Sequence, residues 1–64
     1  MILDDNSGTT FKVYAVKIEK EFNEKYSLLA MDVSGGWHTI YTYDSESEAI
    51  YKKVLISNTL DKEV

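Results

Sequence analysis

Three stretches in the middle of the chain are rich in β-branched and aromatic residues. The first, over 10–20, contains the run Phe-Lys-Val-Tyr-Ala-Val-Lys-Ile and lacks helical spacing, which predicts a strand. The second, over 25–33, and the third, over 37–43, lie on either side of Gly35 and Gly36. Two apolar runs around a glycine pair are typical of a β-hairpin, because glycine readily adopts the positive φ of tight turns. We expect a three-stranded antiparallel meander.

The last third of the chain has the features of a helix. Ser45 and Glu48 have the spacing of a capping box, in which the serine hydroxyl accepts from the backbone of Glu48 and the carboxylate reaches back. We expect a helix over 46–59. With about 100° of rotation per residue, its apolar residues fall in three separate arcs around the helix axis. A helix that packs on a single neighbour has one apolar arc, so this helix should have neighbours on more than one side. The arcs are Ala49 with Ile56 and Leu60, Ile50 with Val54, and Tyr51 with Leu55.

The element order, β-β-β-α, predicts a single small α+β domain over 1–64, with the helix packed on one face of the sheet. Residues 1–9 end in a polar, turn-forming cluster, which predicts a loosely ordered leader. A chain this short buries only about 60% of the surface that its unfolded form exposes. Because there is no cysteine for a disulfide, self-association is a means of stabilisation that stays open.

The turn at Gly35-Gly36 determines which side chains share a face of the sheet. With two residues in that turn, Met31 faces Ile40 and both faces of the sheet are apolar. One helix covers one face, and we expect it to cover the aliphatic face of Val16, Ile18, Leu29, Met31, Val33 and Ile40. The aromatic face is then free to bind a partner. Its predicted partner-binding residues are Phe11, Tyr26, Leu28, Trp37, Thr39, Tyr41 and Tyr43.

A different turn would change this surface. A three-residue turn or a bulge beside the glycine pair would shift the third strand by one residue and exchange its faces. Trp37, Tyr41 and Tyr43 would then lie in the core, and His38 would lie outside. The predicted binding surface therefore depends on the number of residues in one turn.

Charge and composition disfavour several classes of partner. Eleven acidic residues against seven lysines give a formal net charge of −4, and the chain has no arginine. Arginine supplies the bidentate fork that recognises guanine and phosphate, so its absence argues against nucleic-acid binding. No apolar run reaches the roughly 20 residues that span a bilayer, and no secretory signal is evident. We expect a cytoplasmic protein without a membrane partner.

The sequence offers little chemistry for catalysis. His38 is the only histidine, and no cysteine or ligand spacing accompanies it, so we expect no metal site. The serines and threonines lack a credible base, and the glycine pair is too short to cradle a phosphate. We expect no enzymatic activity, no cofactor and no small-molecule substrate.

These observations predict a small non-catalytic protein–protein interaction module that binds through an aromatic sheet face. It would act as a homodimer or as an inhibitor or regulator of a larger protein. In size and composition the chain is similar to phage and mobile-element products that inhibit host enzymes. One alternative is such an inhibitor acting as an acidic nucleic-acid mimic, and another is single-stranded nucleic-acid binding by aromatic stacking. Mimicry would require the following acidic residues to lie along one surface: Asp32, Asp44, Glu46 and Glu48.

Overall fold

The computed structural model describes residues 1–63, which form five strands and one helix. The elements are β1 (Ile2–Asp4), β2 (Thr10–Lys12), β3 (Ala15–Lys20), β4 (Tyr26–Met31), β5 (Trp37–Tyr43) and α1 (Glu46–Lys62). Strands β3, β4 and β5 form one antiparallel sheet in that order, and β1 and β2 form a separate antiparallel hairpin. The helix packs on one face of the three-stranded sheet. The predicted α+β fold, a meander followed by a packed helix, is confirmed, and the β1–β2 hairpin is an addition to it.

The turn between β4 and β5 contains one residue more than predicted. The backbone N–H of Asp32 donates to the carbonyl of Gly36 at 2.9 Å, so three residues lie between them. Gly35, the last of the three, has a φ of 88° in the left-handed region. The turn before β4 has the same form, with Glu24 at a φ of 65°. Three-residue hairpin loops with a left-handed last residue are common, and the expected two-residue turn at Gly35-Gly36 was wrong.

Because each of the two turns around β4 contains an extra residue, the side chains of β4 lie on the opposite faces of the sheet from those expected. Val16 pairs with Ala30, a shift of one residue from the expected register. Met31 pairs with Trp37 instead of Ile40, a shift of three. A shift by an odd number of residues exchanges the two faces of a strand. Leu28 and Ala30 therefore lie in the buried cluster under the helix. Leu29 and Met31, which were expected there, face the other side of the sheet. We call that side the open sheet face, and its central residues are Lys17, Leu29, Met31, Trp37 and Thr39.

The core lies between the sheet and α1. Leu28 and Ala30 from the central strand are fully buried, and they cluster with Ile56 from the helix and with Val13 from the link between β2 and β3. This arrangement explains why Leu28 and Ala30, two residues apart in the central strand, are apolar. The partly buried side chains around the cluster are Met1, Leu3, Phe11, Val16, Ile18, Ile40, Tyr43 and Leu60.

The helix begins where the capping box places its start. The Ser45 hydroxyl accepts from the backbone N–H of Glu48 at 3.4 Å and donates to the Glu48 carboxylate at 3.2 Å. The last helical residue is Lys62, three residues beyond the predicted end. Within the described residues, no helix combines the length and the apolar character needed to cross a bilayer.

Residues 1–9, expected to be a loosely ordered leader, form β1 and the turn that joins it to β2. Leu3 pairs with Phe11 across the hairpin, and both side chains pack against the core. The Asp5 carboxylate closes the turn by accepting from the backbone N–H of Thr9 at 2.9 Å. The expected single strand over 10–20 is accordingly divided into β2 and β3. A three-residue strand such as β1 has too few residues for a periodic signal, which is why the expectation failed.

Candidate protein-binding surface

Five of the seven residues predicted to bind a partner lie on the helix side of the sheet, and of these only Tyr41 is largely exposed. Leu28 is completely buried, with 0% of its surface exposed, so it is not available to a partner. Phe11 and Tyr43 pack against the core cluster, and Tyr26 pairs with Tyr43 on the same face. These residues support the fold.

The other two do not share this side of the sheet. Trp37 and Thr39 lie on the open sheet face, where Thr39 pairs with Leu29. A bulge then changes the register, so that Tyr41 pairs with Leu28 on the helix side, with 4.8 Å between its ring centre and that of Tyr43. The single aromatic surface expected from the sequence is therefore divided between the two sides. The role of Trp37, Thr39 and Tyr41 in binding stays a prediction.

The open sheet face is partly covered by its own side chains. The Nζ of Lys17 lies 4.3 Å from the centre of the Trp37 ring, a cation–π contact. Lys17 pairs with Leu29 in the sheet, and Leu29 is only 8% exposed although no helix covers this face. The aliphatic stem of a lysine can shield apolar surface in this way. The open sheet face thus presents less apolar surface than the sequence suggested.

The helix exposes an apolar surface on the part of its circumference that the sheet does not cover. Ile50, Tyr51, Val54 and Leu55 have exposed fractions of 46%, 68%, 48% and 43%. They form two pairs spaced by four residues, and residues so spaced are neighbours on a helix. We call these four residues the outer helix face. The buried stripe of α1 is the arc that contains Ile56, so the two remaining predicted arcs form this exposed surface.

A groove of about 480 Å³ lies between α1 and the chain that runs from β2 into β3. Its apolar lining includes Val13, Val16 and Leu60, and lysines from both walls lie beside it. We call it the β3 groove. The residues that line it are Lys12, Val13, Tyr14, Ala15, Val16, Lys53, Ser57, Leu60, Asp61 and Glu63. Sequence reasoning missed this groove because its two walls come from distant parts of the chain.

His38 lies between two carboxylates that come from different loops. Its Nδ1 is 2.9 Å from Asp5 Oδ2, and its Nε2 is 2.6 Å from Asp32 Oδ2. The ring of Phe11 stacks on the imidazole with 4.0 Å between the ring centres. Hydrogen bonds first to Asp32 and then to Asp5 raise the pKa of His38 above its ordinary value. The protonated imidazole donates to both carboxylates and so links the β1–β2 turn to the β4–β5 turn.

The two carboxylates are held in their ionised forms. The Ser34 hydroxyl donates to Asp32 at 2.6 Å and contributes most to lowering the pKa of that carboxyl, followed by His38 and the backbone of Gly36. The pKa of Asp5 is lowered chiefly by His38 and then by the backbone of Thr9. Nothing in the sequence could show these partners of His38.

This cluster has the geometry of a structural link. The carboxylates of Asp5 and Asp32 contact opposite edges of the imidazole ring, so their lone pairs do not converge on one point. Over residues 1–63, no group of three or more histidine or acidic side chains is arranged to hold a metal ion. Both ring nitrogens of His38 already have carboxylate partners, and neither is free to take a proton from a hydroxyl nucleophile.

Two of the four acidic residues that nucleic-acid mimicry would require lie at opposite ends of β5. The backbone N–H of Asp32 donates to the carbonyl of Gly36, just before the first residue of β5, and Asp44 follows its last residue, so the length of a seven-residue strand, about 20 Å, separates them. Asp32 is also engaged with His38, and Asp44 pairs with Lys25 at 2.6 Å. The mimicry alternative stays a prediction.

Comparison with protein-family models, with curated proteins and with solved structures finds no match to this chain. Inference about function therefore depends on the surfaces themselves. The outer helix face presents four large apolar side chains side by side, whereas on the open sheet face Lys17 lies over the Trp37 ring and Leu29 is buried. The outer helix face is the stronger candidate for binding.

Proposed function

We propose that the chain is a non-catalytic protein–protein interaction module that docks on its partner with the outer helix face. The observation that carries the proposal is the contiguous exposure of Ile50, Tyr51, Val54 and Leu55 on a helix whose opposite stripe is already buried. Exposed contiguous apolar patches on soluble domains mark interaction sites. A helix laid into a partner's groove, with anchors spaced by about one turn, is a recurrent mode of recognition.

The polar surroundings of this face also support docking. Ser47 and Asn58 are exposed on the same side of the helix, one turn before and one turn after the apolar residues. An apolar centre with a polar rim is the usual composition of a protein interface. Tyr51 is the most exposed of the four, and tyrosine is enriched among residues that dominate binding energy. We therefore take Tyr51 as the central anchor for a larger protein that the chain inhibits or regulates.

We expect Tyr51→Lys to weaken partner binding at least about tenfold, because it places a charge where an aromatic anchor must be desolvated. The measurement is quantitative affinity capture from a lysate of the source organism, followed by titration of the captured protein. Thr59→Lys is the matched control, since it adds the same charge at an exposed helix position outside the outer helix face. Far-ultraviolet circular dichroism checks that both variants are folded.

A partner that binds Tyr51→Lys and the unchanged chain equally would exclude the outer helix face as the docking surface. Equal losses in Tyr51→Lys and Thr59→Lys would show that net charge, rather than this face, controls the association.

A further inference from the structure

We infer that the partner which fits the edge of the sheet is a second copy of this chain, paired antiparallel along β3 with its Phe22 in the β3 groove. The inference rests on the proposed function in one respect, since one side of the outer helix face takes part in the contact. Two copies joined in this way form one six-stranded antiparallel sheet. Association is also a recognised means of stabilising a domain of this size, which supplies only a small core.

The outer edge of β3 is open. Strand β3 pairs with β4 on one side only, and an edge strand presents unpaired backbone groups that can pair with another strand. The opposite edge of the sheet, β5, is protected in two ways. A bulge interrupts its pairing register, and the backbone N–H of Asn6 donates to the carbonyl of Thr39 at 2.9 Å. Edge-to-edge pairing is therefore more accessible at β3.

Charge selects the register of this pairing. If a two-fold axis perpendicular to the sheet relates the two copies, the side chains of both β3 strands keep the same faces. The pairing is then centred on one residue, which lies directly opposite the same residue of the second copy. Centring on Ile18 places Lys17 opposite Glu19 of the second copy, and this happens twice in the dimer. Centring on Lys17 or on Glu19 would place two like charges directly opposite each other, which is destabilising. The Ile18-centred register is the self-complementary one.

The same register brings an unused aromatic side chain to the β3 groove. Phe22 follows β3 in the turn and is 102% exposed, so it packs against nothing within residues 1–63. It lies four residues after Ile18, and Tyr14 lies four residues before it. Phe22 of the second copy therefore meets Tyr14, which borders the β3 groove. The apolar part of the groove lining, which includes Val16 and Leu60, suits an aromatic ring, and the two-fold axis forms this contact twice.

The helix contributes to the same contact. Ile50 precedes Ser57 by seven residues, and Val54 precedes Asp61 by seven, which is close to two helical turns. Each pair therefore lies on one side of α1. Ser57 and Asp61 line the β3 groove, so the half-exposed side chains of Ile50 and Val54 lie on the side of the helix that faces the edge of β3. In the dimer both helices lie on the same face of the six-stranded sheet, and these side chains become buried between them.

The test is analytical ultracentrifugation of the full chain from low micromolar to millimolar concentration. We expect a reversible monomer–dimer equilibrium. Phe22→Ser should raise the dissociation constant at least about tenfold without loss of the fold, because Phe22 makes no contacts within the monomer. Glu19→Lys should abolish the dimer by placing lysines opposite one another. The double variant with Lys17→Glu and Glu19→Lys should restore it, because opposite charges face each other again.

Tyr51→Lys separates this inference from the proposed function. Tyr51 lies on the part of the outer helix face away from the groove, so this variant should keep the dimer while losing a different protein partner. A chain that stays monomeric over the whole concentration range overturns the inference, and capture of a partner through Tyr51 would then leave the proposed function standing. A dimer that persists in both Phe22→Ser and Glu19→Lys also overturns it, since the contact must then lie elsewhere.

Discussion

Leu28→Ala should unfold most of the protein under conditions where the unchanged chain is folded. Leu28 is fully buried at the centre of the middle strand and belongs to the cluster that joins the sheet to Ile56 of the helix. Truncating a buried leucine to alanine costs about 2–5 kcal/mol. A core in a domain of this size supplies only about 3–5 kcal/mol of stability. Urea denaturation followed by Trp37 fluorescence and by circular dichroism measures the loss.

Leu29→Ala is the matched control, because it makes the same change one residue further along the same strand. Leu29 faces the open sheet side, where it pairs with Lys17 and Thr39 and no helix packs on it. We expect its denaturation midpoint to fall less than that of Leu28→Ala. The opposite order would mean that β4 has the register expected from two-residue turns, with Leu29 under the helix.

The stability of the protein should depend on pH with a maximum on the acidic side of neutrality. His38 has a raised folded-state pKa, so its contribution is complete below the ordinary histidine value of 6.5 and is lost as the pH rises through the raised value. Asp5 and Asp32 have lowered folded-state pKa values, so their contributions are complete above the ordinary value of 3.8 and are lost as the pH falls. The maximum therefore lies between pH 3.8 and pH 6.5.

His38→Gln tests whether this cluster causes the pH dependence. Glutamine keeps hydrogen-bonding groups but does not titrate, so the variant should be less stable than the unchanged chain in the acidic window. It should also lose the decline in stability between neutral and mildly alkaline pH. Urea midpoints measured across the pH range give both results. If the unchanged chain and His38→Gln lose stability in parallel as the pH rises through neutrality, a different group controls the dependence.

Local features of the fold were predictable from the sequence. The capping box at Ser45 and Glu48 placed the start of the helix, because that interaction involves residues three positions apart. The strand over 37–43 appears with the same bounds as β5. Of the three predicted apolar arcs of the helix, the structure buries the one that contains Ile56, and the expected neighbours of the other two stay a prediction.

Features that depend on register or on distant contacts were not predictable. The glycine pair suits more than one loop length, and a single added residue changed which leucine of β4 enters the core. The link from His38 to Asp5 joins a strand to a leader that carried no periodic signal. The β3 groove exists only after the helix packs beside β3, so no local pattern could indicate it.

The most direct test of the binding claim is methyl and indole NMR of the chain titrated with its captured protein partner. We predict shift changes or line broadening for the methyl groups of Ile50, Val54 and Leu55, which lie on the outer helix face. The indole of Trp37 on the open sheet face should be unchanged. A perturbed Trp37 indole signal with unchanged helix methyl signals would contradict this prediction and would place the binding site on the open sheet face.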